Sequence, residues 1–269
     1  MSLNHDIIEL NGEPAQLEDL RLLAQTNYGH FTVMSVLDGR VRGLDLHLDR
    51  LQEGTRELFA SELDLGQVRT YLRNALAGKS GAISVRITVF SLAFDRARPG
   101  AAAVPDVLIG VSRAVPSPTA PLRLKSFRYQ RELAHIKHVG TFPLFHYRRL
   151  AQSCGFDDAL FVDADTGVSE AAIWNIGFHD GDGVVWPDAP QLAGTGVRLL
   201  QSGLHRFGIS QTTRHVRVDD LGGMSGVFVC NANTVARPVA CIDNIGFPLC
   251  SDLIATLQRA YASNPWQTP

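Results

Sequence analysis

Lysine is the scarce residue of this chain. Lys79, Lys125 and Lys137 are the only three in 269 residues, so arginine supplies most of the 25 basic side chains. Cysteine is nearly as rare. Cys154, Cys230, Cys241 and Cys250 show no Cys-x-x-Cys spacing and no matched His-x-x-x-His, which excludes a zinc-ribbon pattern, and a chain this long needs no disulfide framework. The plain reading is buried free thiols in the cytoplasm. No run approaches the roughly 18 uninterrupted apolar residues of a membrane span. The first six residues, Met1 to Asp6, lack both a basic n-region and an apolar h-region, so no secretory signal is expected, and Met1-Ser2-Leu3 reads equally as a native start or an added leader. A formal net charge of -2 gives no reason to expect nucleic acid or an anionic membrane as partner.

What is present suits a globular chain of one large domain or two modest ones, with 45% hydrophobic and 19% charged residues. The clearest seam is Ala114-Val115-Pro116-Ser117-Pro118-Thr119-Ala120-Pro121. Its three prolines remove donors and restrain their predecessors, which forbids a helix there. The expectation is a domain over residues 1–115, a linker over 116–121 and a second domain over 122–269. In the first part, Phe31–Val36 reads as a strand, Asp38-Gly39 as a hairpin turn and Arg40-Val41-Arg42 as the return. Leu44, Leu48, Leu51, Leu58 and Phe59 recur at helical spacing and predict a helix over 45–60. A helix over Leu65–Leu76 and strands over Ala82–Phe90 and Val107–Val111 complete an α+β order. The second part predicts helices over Phe142–Ser153, Val197–Phe207 and Asp252–Ala262. Its strands are expected at Ala159–Val162, Ala172–His179, Val184–Trp186, Thr213–Arg217, Val227–Cys230 and Val239–Ile242. No internal repeat or low-complexity tract is visible.

Three segments carry the chemistry. Ile136-Lys137-His138 places a lysine after the partly apolar Leu133-Ala134-His135, where an amine loses some preference for its charged form. Downstream lie Gly155-Phe156-Asp157-Asp158-Ala159-Leu160-Phe161-Val162-Asp163 and Ser169-Glu170-Ala171-Ala172-Ile173-Trp174-Asn175. Taken by itself, Glu170 is an ordinary strand-start carboxylate. Gly194-Thr195-Gly196 at a helix start offers backbone N–H groups and a hydroxyl at the positive end of the helix dipole, or simply a Gly-rich turn. Arg50 in His47-Leu48-Asp49-Arg50-Leu51 has a planar fork suited to phosphate, although an exposed helix arginine reads the same way.

In this order the segments resemble the class IV aminotransferases, fold-type IV enzymes that use pyridoxal 5'-phosphate (PLP). The resemblance runs from Tyr28 to Val239. It implies a small α+β domain followed by a larger α/β barrel-like domain, with PLP in the cleft between them and a homodimer whose interface helps build the site. By the same resemblance Lys137 forms the Schiff base with PLP and later shuttles a proton. Glu170 holds the pyridine nitrogen protonated so that the ring accepts electrons. Arg50, Thr195 and Gly196 take the phosphate, and His47 packs or caps rather than catalyses. Near Val227-Phe228-Val229-Cys230-Asn231-Ala232-Asn233-Thr234, Ala232 stands where relatives carry a hydroxyl, so Asn233 or Thr234 takes that contact.

Several positions depart from the family pattern. Gly194-Thr195-Gly196-Val197-Arg198 replaces Gly-(Ile/Val)-Thr-Arg, Thr141-Phe142 replaces Asn-Tyr, and Tyr28-Gly29-His30-Phe31-Thr32 is a reduced form of Gly-x-Gly-(Val/Ile)-Phe-Glu. Tyr28 and His30 therefore either line the substrate side or pack. Arg128 and Arg131 either bind a substrate carboxylate or sit in solvent. Three functions are open: transamination between an amino acid and a 2-oxo acid, pyruvate elimination by a 4-amino-4-deoxychorismate lyase, and a non-catalytic PLP-binding relative. Lys137-His138 and Cys230-Asn231-Ala232 lean toward the lyases. No metal ligand set is expected.

Overall fold

The leucines at helical spacing do form a helix. In the computed structural model, which describes residues 7–116 and 118–269, Leu44–Phe59 is helical and buries Leu44, Leu48, Leu51, Leu58 and Phe59 along one stripe. The Met1-Ser2-Leu3 leader and Ser117 of the expected linker lie outside the described residues. Contacts divide the chain into two units. The first comprises residues 7–116, 136–140 and 265–269, and the second residues 118–135 and 141–264.

The first unit is an antiparallel sheet with helices on it. Its strands are β1 (Ile7–Leu10), β2 (Glu13–Pro14), β3 (His30–Leu37), β4 (Arg40–Arg42), β5 (Ala82–Phe90) and β6 (Asp106–Arg113), with the C-terminal strand Trp266–Gln267 at one edge. They run in the order C-terminal strand, β4, β3, β5, β6, β1, β2. Between strands lie the helices α1 (Leu17–Thr26), α2 (Leu44–Phe59) and α3 (Leu65–Leu76). Helix α3 starts where Asp64 caps it, its Oδ1 accepting from the Gln67 amide at 2.9 Å. Met34 and Val36 of β3, Val85 and Ile87 of β5 and the leucine stripe of α2 share one core, which Ile136 joins.

The second unit contains a closed barrel. Its strands are β7 (Leu122–Arg128), β8 (Asp158–Val162), β9 (Val168–Ala171), β10 (Trp174–His179), β11 (Val184–Pro187), β12 (Gln211–Arg214), β13 (Gly226–Cys230), β14 (Arg237–Ile242) and β15 (Ile245–Gly246); its helices are α4 (Phe142–Ser153), α5 (Thr195–Arg206) and α6 (Ser251–Ala262). The path β10-β13-β14-β7-β8-β9 closes on itself because β9 also pairs with β10. Closure leaves those six strands no open edge. Leu122 and Leu124, Leu160 and Val162, Ile176 and Phe178, and Val227 and Val229 form one cluster, each pair two residues apart. The intervening residues turn the other way. Ala159 and Phe161 pack with Ala151 of α4, while Phe228 and Cys230 pack with Leu200 and Leu204 of α5 and Leu257 of α6. Strand period two thus separates the barrel interior from its helix-covered face.

Two expected strands are corrected. The run Ala172–His179 is broken: residues 172 and 173 form a turn, and β10 begins at Trp174. The strand expected at Thr213–Arg217 lies at Gln211–Arg214, where parallel pairing with β11 sets it through Val184↔Gln211 and Pro187↔Arg214. Among the described residues no helix is long and apolar enough to cross a membrane.

Candidate active site

In the first unit, the segment bearing Lys137 lies along the start of β3. The Phe31 amide donates to the Lys137 carbonyl at 2.8 Å and the Val139 amide to the Gly29 carbonyl at 2.9 Å, with His30 and His138 bridging antiparallel. The backbone of Lys137 is therefore held as firmly as a strand residue, and its half-buried side chain places Nζ 4.9 Å from the centroid of the Phe31 ring. The Arg86 guanidinium lies over the same ring at 3.6 Å and also donates to Thr88 Oγ1 at 3.1 Å. Burial pushes Arg86 down to about 10.

Beside this ring the next residue of β3, Thr32, meets α2. Thr32 Oγ1 lies 2.6 Å from His47 Nδ1 and accepts a hydrogen bond from Arg50 Nη2, which is also 3.5 Å from His47 Nδ1. His47 is held well below the ordinary histidine value by burial first, then by the positive charges of Arg50 and Lys137. Lys137, Arg50 and His47 thus belong to one electrostatic neighbourhood. His30 is 2% exposed, with Nε2 3.1 Å from Thr55 Oγ1; burial and then Arg50 push it down to about 3. Tyr28 stacks on Phe94 at 4.5 Å and donates its hydroxyl to the Leu58 carbonyl at 3.1 Å.

In the second unit, Glu170 sits on β9 and Asn175 on β10. The two-residue turn at 172–173 makes them direct cross-strand partners, so a spacing of five in sequence becomes adjacency in the hairpin. Glu170 is 5% exposed. Its Oε1 faces Arg131 Nη1 at 3.4 Å, and its Oε2 accepts from the Leu192 amide at 3.4 Å. Asn175 Nδ2 donates to the Leu192 carbonyl at 2.8 Å and to Gln191 Oε1 at 3.0 Å. The pair thereby anchors the loop that leads into α5.

That loop ends at Gly194, the N-cap of α5, where no side chain caps the helix. A Cβ at Gly194 would overlap Asn175 Oδ1, and one at Gly196 would lie 2.8 Å from the Asn231 carbonyl oxygen. Both contacts demand the absence of a side chain. The second brings the helix start against the turn of residues 231–234, where Asn231 Oδ1 accepts from the amides of Asn233 and Thr234, each at 2.9 Å. Thr195 and Thr234 are buried at 3% and 9%, whereas Asn233 is exposed. The positive end of α5 and this turn together form an anion-binding geometry.

Arg128 is exposed and donates to the Ala164 carbonyl at 2.6 Å. Arg131 is 7% exposed and directed at Glu170, which corrects the solvent alternative. Phe31 and Thr32 carry no sequence signal beyond the reduced pattern of Tyr28-Gly29-His30-Phe31-Thr32, and Arg86 carries none. Among the described residues no group of three or more His, Cys, Asp or Glu could hold a metal ion.

Comparison with known proteins agrees with this architecture. A hypothetical aminotransferase from Mycobacterium tuberculosis in its PLP-bound form superposes with a TM-score of 0.80 at 20% identity, covering 95% of this chain and 98% of that one. The branched-chain amino acid aminotransferase from Escherichia coli gives 0.84 at 17% identity, covering 96% and 94%. A fold IV transaminase from Curtobacterium pusillum gives 0.76 at 20% identity, covering 91% and 89%. At these identities the likeness is one of fold, the fold-type IV arrangement of an antiparallel sheet and a six-stranded barrel. The sequence pattern described as amino-transferase class IV matches residues 29–242, most of the chain. The chain belongs to the class IV aminotransferase family.

Proposed function

We propose that this protein is a PLP-dependent aminotransferase that moves an amino group between an amino acid and a 2-oxo acid, with Lys137 as the lysine that carries the cofactor. The observation that carries this reading is the placement of Lys137. One of only three lysines is fixed through its backbone to β3, with its amine over Phe31 and in the same neighbourhood as Arg50. Each unit, taken by itself, holds groups of the chemistry that parts of the cofactor need. An aldehyde needs an amine, a dianionic phosphate needs a guanidinium and a helix N-terminus, and a pyridine nitrogen needs a carboxylate. The first unit has the amine of Lys137 and the guanidinium of Arg50, and the second has the start of α5 and buried Glu170.

Bound PLP supplies an electron sink for bonds broken at the α-carbon of an amino acid. The chain supplies the rest. Lys137 would hold the cofactor through its amine, and its Nζ would then accept and return a proton. Glu170, oriented by Arg131 and the Leu192 amide, would be the carboxylate partner of the pyridine nitrogen. In the first unit Arg50 would be a phosphate ligand; in the second unit the amides of Thr195 and Gly196 would be, with Thr234 or Asn233 of the adjoining turn. His30 stays neutral and Tyr28 packs, so both shape the substrate side rather than exchange protons there.

A 4-amino-4-deoxychorismate lyase is the second reading, favoured by Lys137-His138 and Cys230-Asn231-Ala232. In it the same Lys137 proton transfer drives pyruvate elimination. Incubating holoprotein with a panel of amino donors and measuring pyridoxamine phosphate separates the two. Its formation with release of a 2-oxo acid supports transamination. Pyruvate from aminodeoxychorismate without pyridoxamine phosphate supports the lyase, and neither product contradicts both. We further propose a homodimer in the cytoplasm. Phe142 at 76% and Phe145 at 58% exposure, one turn apart on α4, support self-association. Four free cysteines suit a reducing compartment. A monomeric mass by light scattering with full PLP-dependent activity would count against the dimer.

A further inference from the structure

Arg50 is one turn from His47 on α2, and both reach the same hydroxyl on β3. Thr32 is 0% exposed, so neither water nor a mobile side chain can substitute for it. Its hydroxyl has a single proton. With that proton and two lone pairs, Oγ1 accepts from Arg50 Nη2 and also bonds His47 Nδ1, 2.6 Å away. Arg50 Nη2 also lies 3.5 Å from His47 Nδ1, a contact that an unprotonated Nδ1 accepts and a protonated one opposes, so the arrangement favours the neutral ring with its proton on Nε2. A charged His47 would instead point an N–H toward a hydroxyl already bound to a guanidinium, and toward the guanidinium itself at 3.5 Å. Burial and the nearby charges of Arg50 and Lys137 oppose that form. The hydrogen bonds therefore link Arg50 through Thr32 to His47.

We propose that Thr32 and His47 are positioning residues that lock the Arg50 guanidinium in the orientation in which it binds the PLP phosphate. This rests on the reading of Arg50 as a phosphate ligand and names what makes that ligand effective. A guanidinium presents five N–H donors in a rigid fork, so fixing one of them to a buried acceptor fixes the rotation of all. A long side chain on a helix surface otherwise samples several rotamers, and it would have to be ordered each time the cofactor binds. Here the ordering is built into the helix-to-strand contact before any ligand arrives.

The test is the PLP dissociation constant of holoprotein, followed by cofactor absorbance after dilution or dialysis, across a double-mutant cycle. Arg50→Ala should weaken PLP binding. Thr32→Val, which keeps the shape and removes the hydroxyl, should raise the dissociation constant about tenfold, the scale of one hydrogen bond to a charged group. Thr32→Ser should stay within about twofold of wild type, since it restores the hydroxyl. In the Arg50→Ala background, Thr32→Val should have no further effect, because Thr32 acts only through Arg50. A Thr32 substitution acting through general destabilisation would lower PLP affinity equally in both backgrounds. Should Thr32→Val not fold, Thr32→Ala in the same cycle carries the same expectation. An unchanged constant for Arg50→Ala overturns the phosphate reading and this inference together. A weakened Arg50→Ala with unchanged or strictly additive Thr32 variants overturns the inference alone.

Discussion

Replacing His30 by asparagine should flatten the acid side of the stability curve of this protein. His30 is 2% exposed, bonded to Thr55 and packed against Phe59, and it is pushed down to about 3 from the ordinary 6.5. In the unfolded chain it titrates near 6.5, so below that pH the unfolded state binds a proton that the folded state refuses. A depressed folded value contributes stability that is complete above 6.5 and is lost as pH falls from 6.5 toward 3. At about pH 5 the loss spans about 1.5 units at roughly 1.4 kcal/mol each, or about 2 kcal/mol relative to about pH 7.5. His47 is shifted in the same direction and adds to the wild-type slope. Urea unfolding of the apoprotein at both pH values, for wild type and His30→Asn, gives the assay. The substitution has its own cost through lost packing, but that cost is common to both pH values and cancels in the difference. The variant should lose about 2 kcal/mol less than wild type on acidification. Equal losses would refute the claim that His30 is held neutral in the first unit.

Gly194→Ala should destabilise the protein by about 2 kcal/mol and weaken PLP binding with it. The new Cβ drives Asn175 off the Leu192 carbonyl and shifts the start of α5. Calorimetry and cofactor titration check this, and an unchanged melting temperature would count against the tight contact. Thiol labelling of native protein should modify exposed Cys154 first, whereas Cys230, buried and pushed up to about 12, should react only on unfolding. Mass analysis of the labelled peptides reads the order, and native-state labelling of Cys230 would contradict its burial.

Much of the fold is legible in the chain because local patterns and tertiary packing agree. The stripe of Leu44, Leu48, Leu51, Leu58 and Phe59 is the stripe that α2 buries, and Ala82–Phe90 is β5 to the residue. Legibility fails where pairing, not propensity, decides. The turn at 172–173 contains neither glycine nor proline, so Ala-Ala-Ile-Trp reads as a continuous strand until β9 and β10 pair. Leu122–Arg128 interleaves apolar residues with arginine and lysine and looks like a basic loop, yet it joins β8 and β14 in the barrel. Helix α1 buries no residue and leaves Leu17 82% exposed, so no apolar stripe announces it. In the site, Lys137 and Glu170 stand out as motif residues. The junction at Thr32 does not, because its partners lie 15 and 18 residues away on another element. Arg131 reads as a solvated charge until the hairpin bearing Glu170 is placed beside it.

The central claim is that Lys137 carries the cofactor, and the scarcity of lysine makes it directly measurable. Borohydride reduction of PLP-loaded protein, followed by peptide mapping, reports which amine held the cofactor. The account predicts a pyridoxyl group on the peptide containing Lys137 and none on those containing Lys79 or Lys125. A pyridoxyl group on either of the other two lysines, or no labelled lysine in a protein that retains PLP-dependent activity, would contradict it.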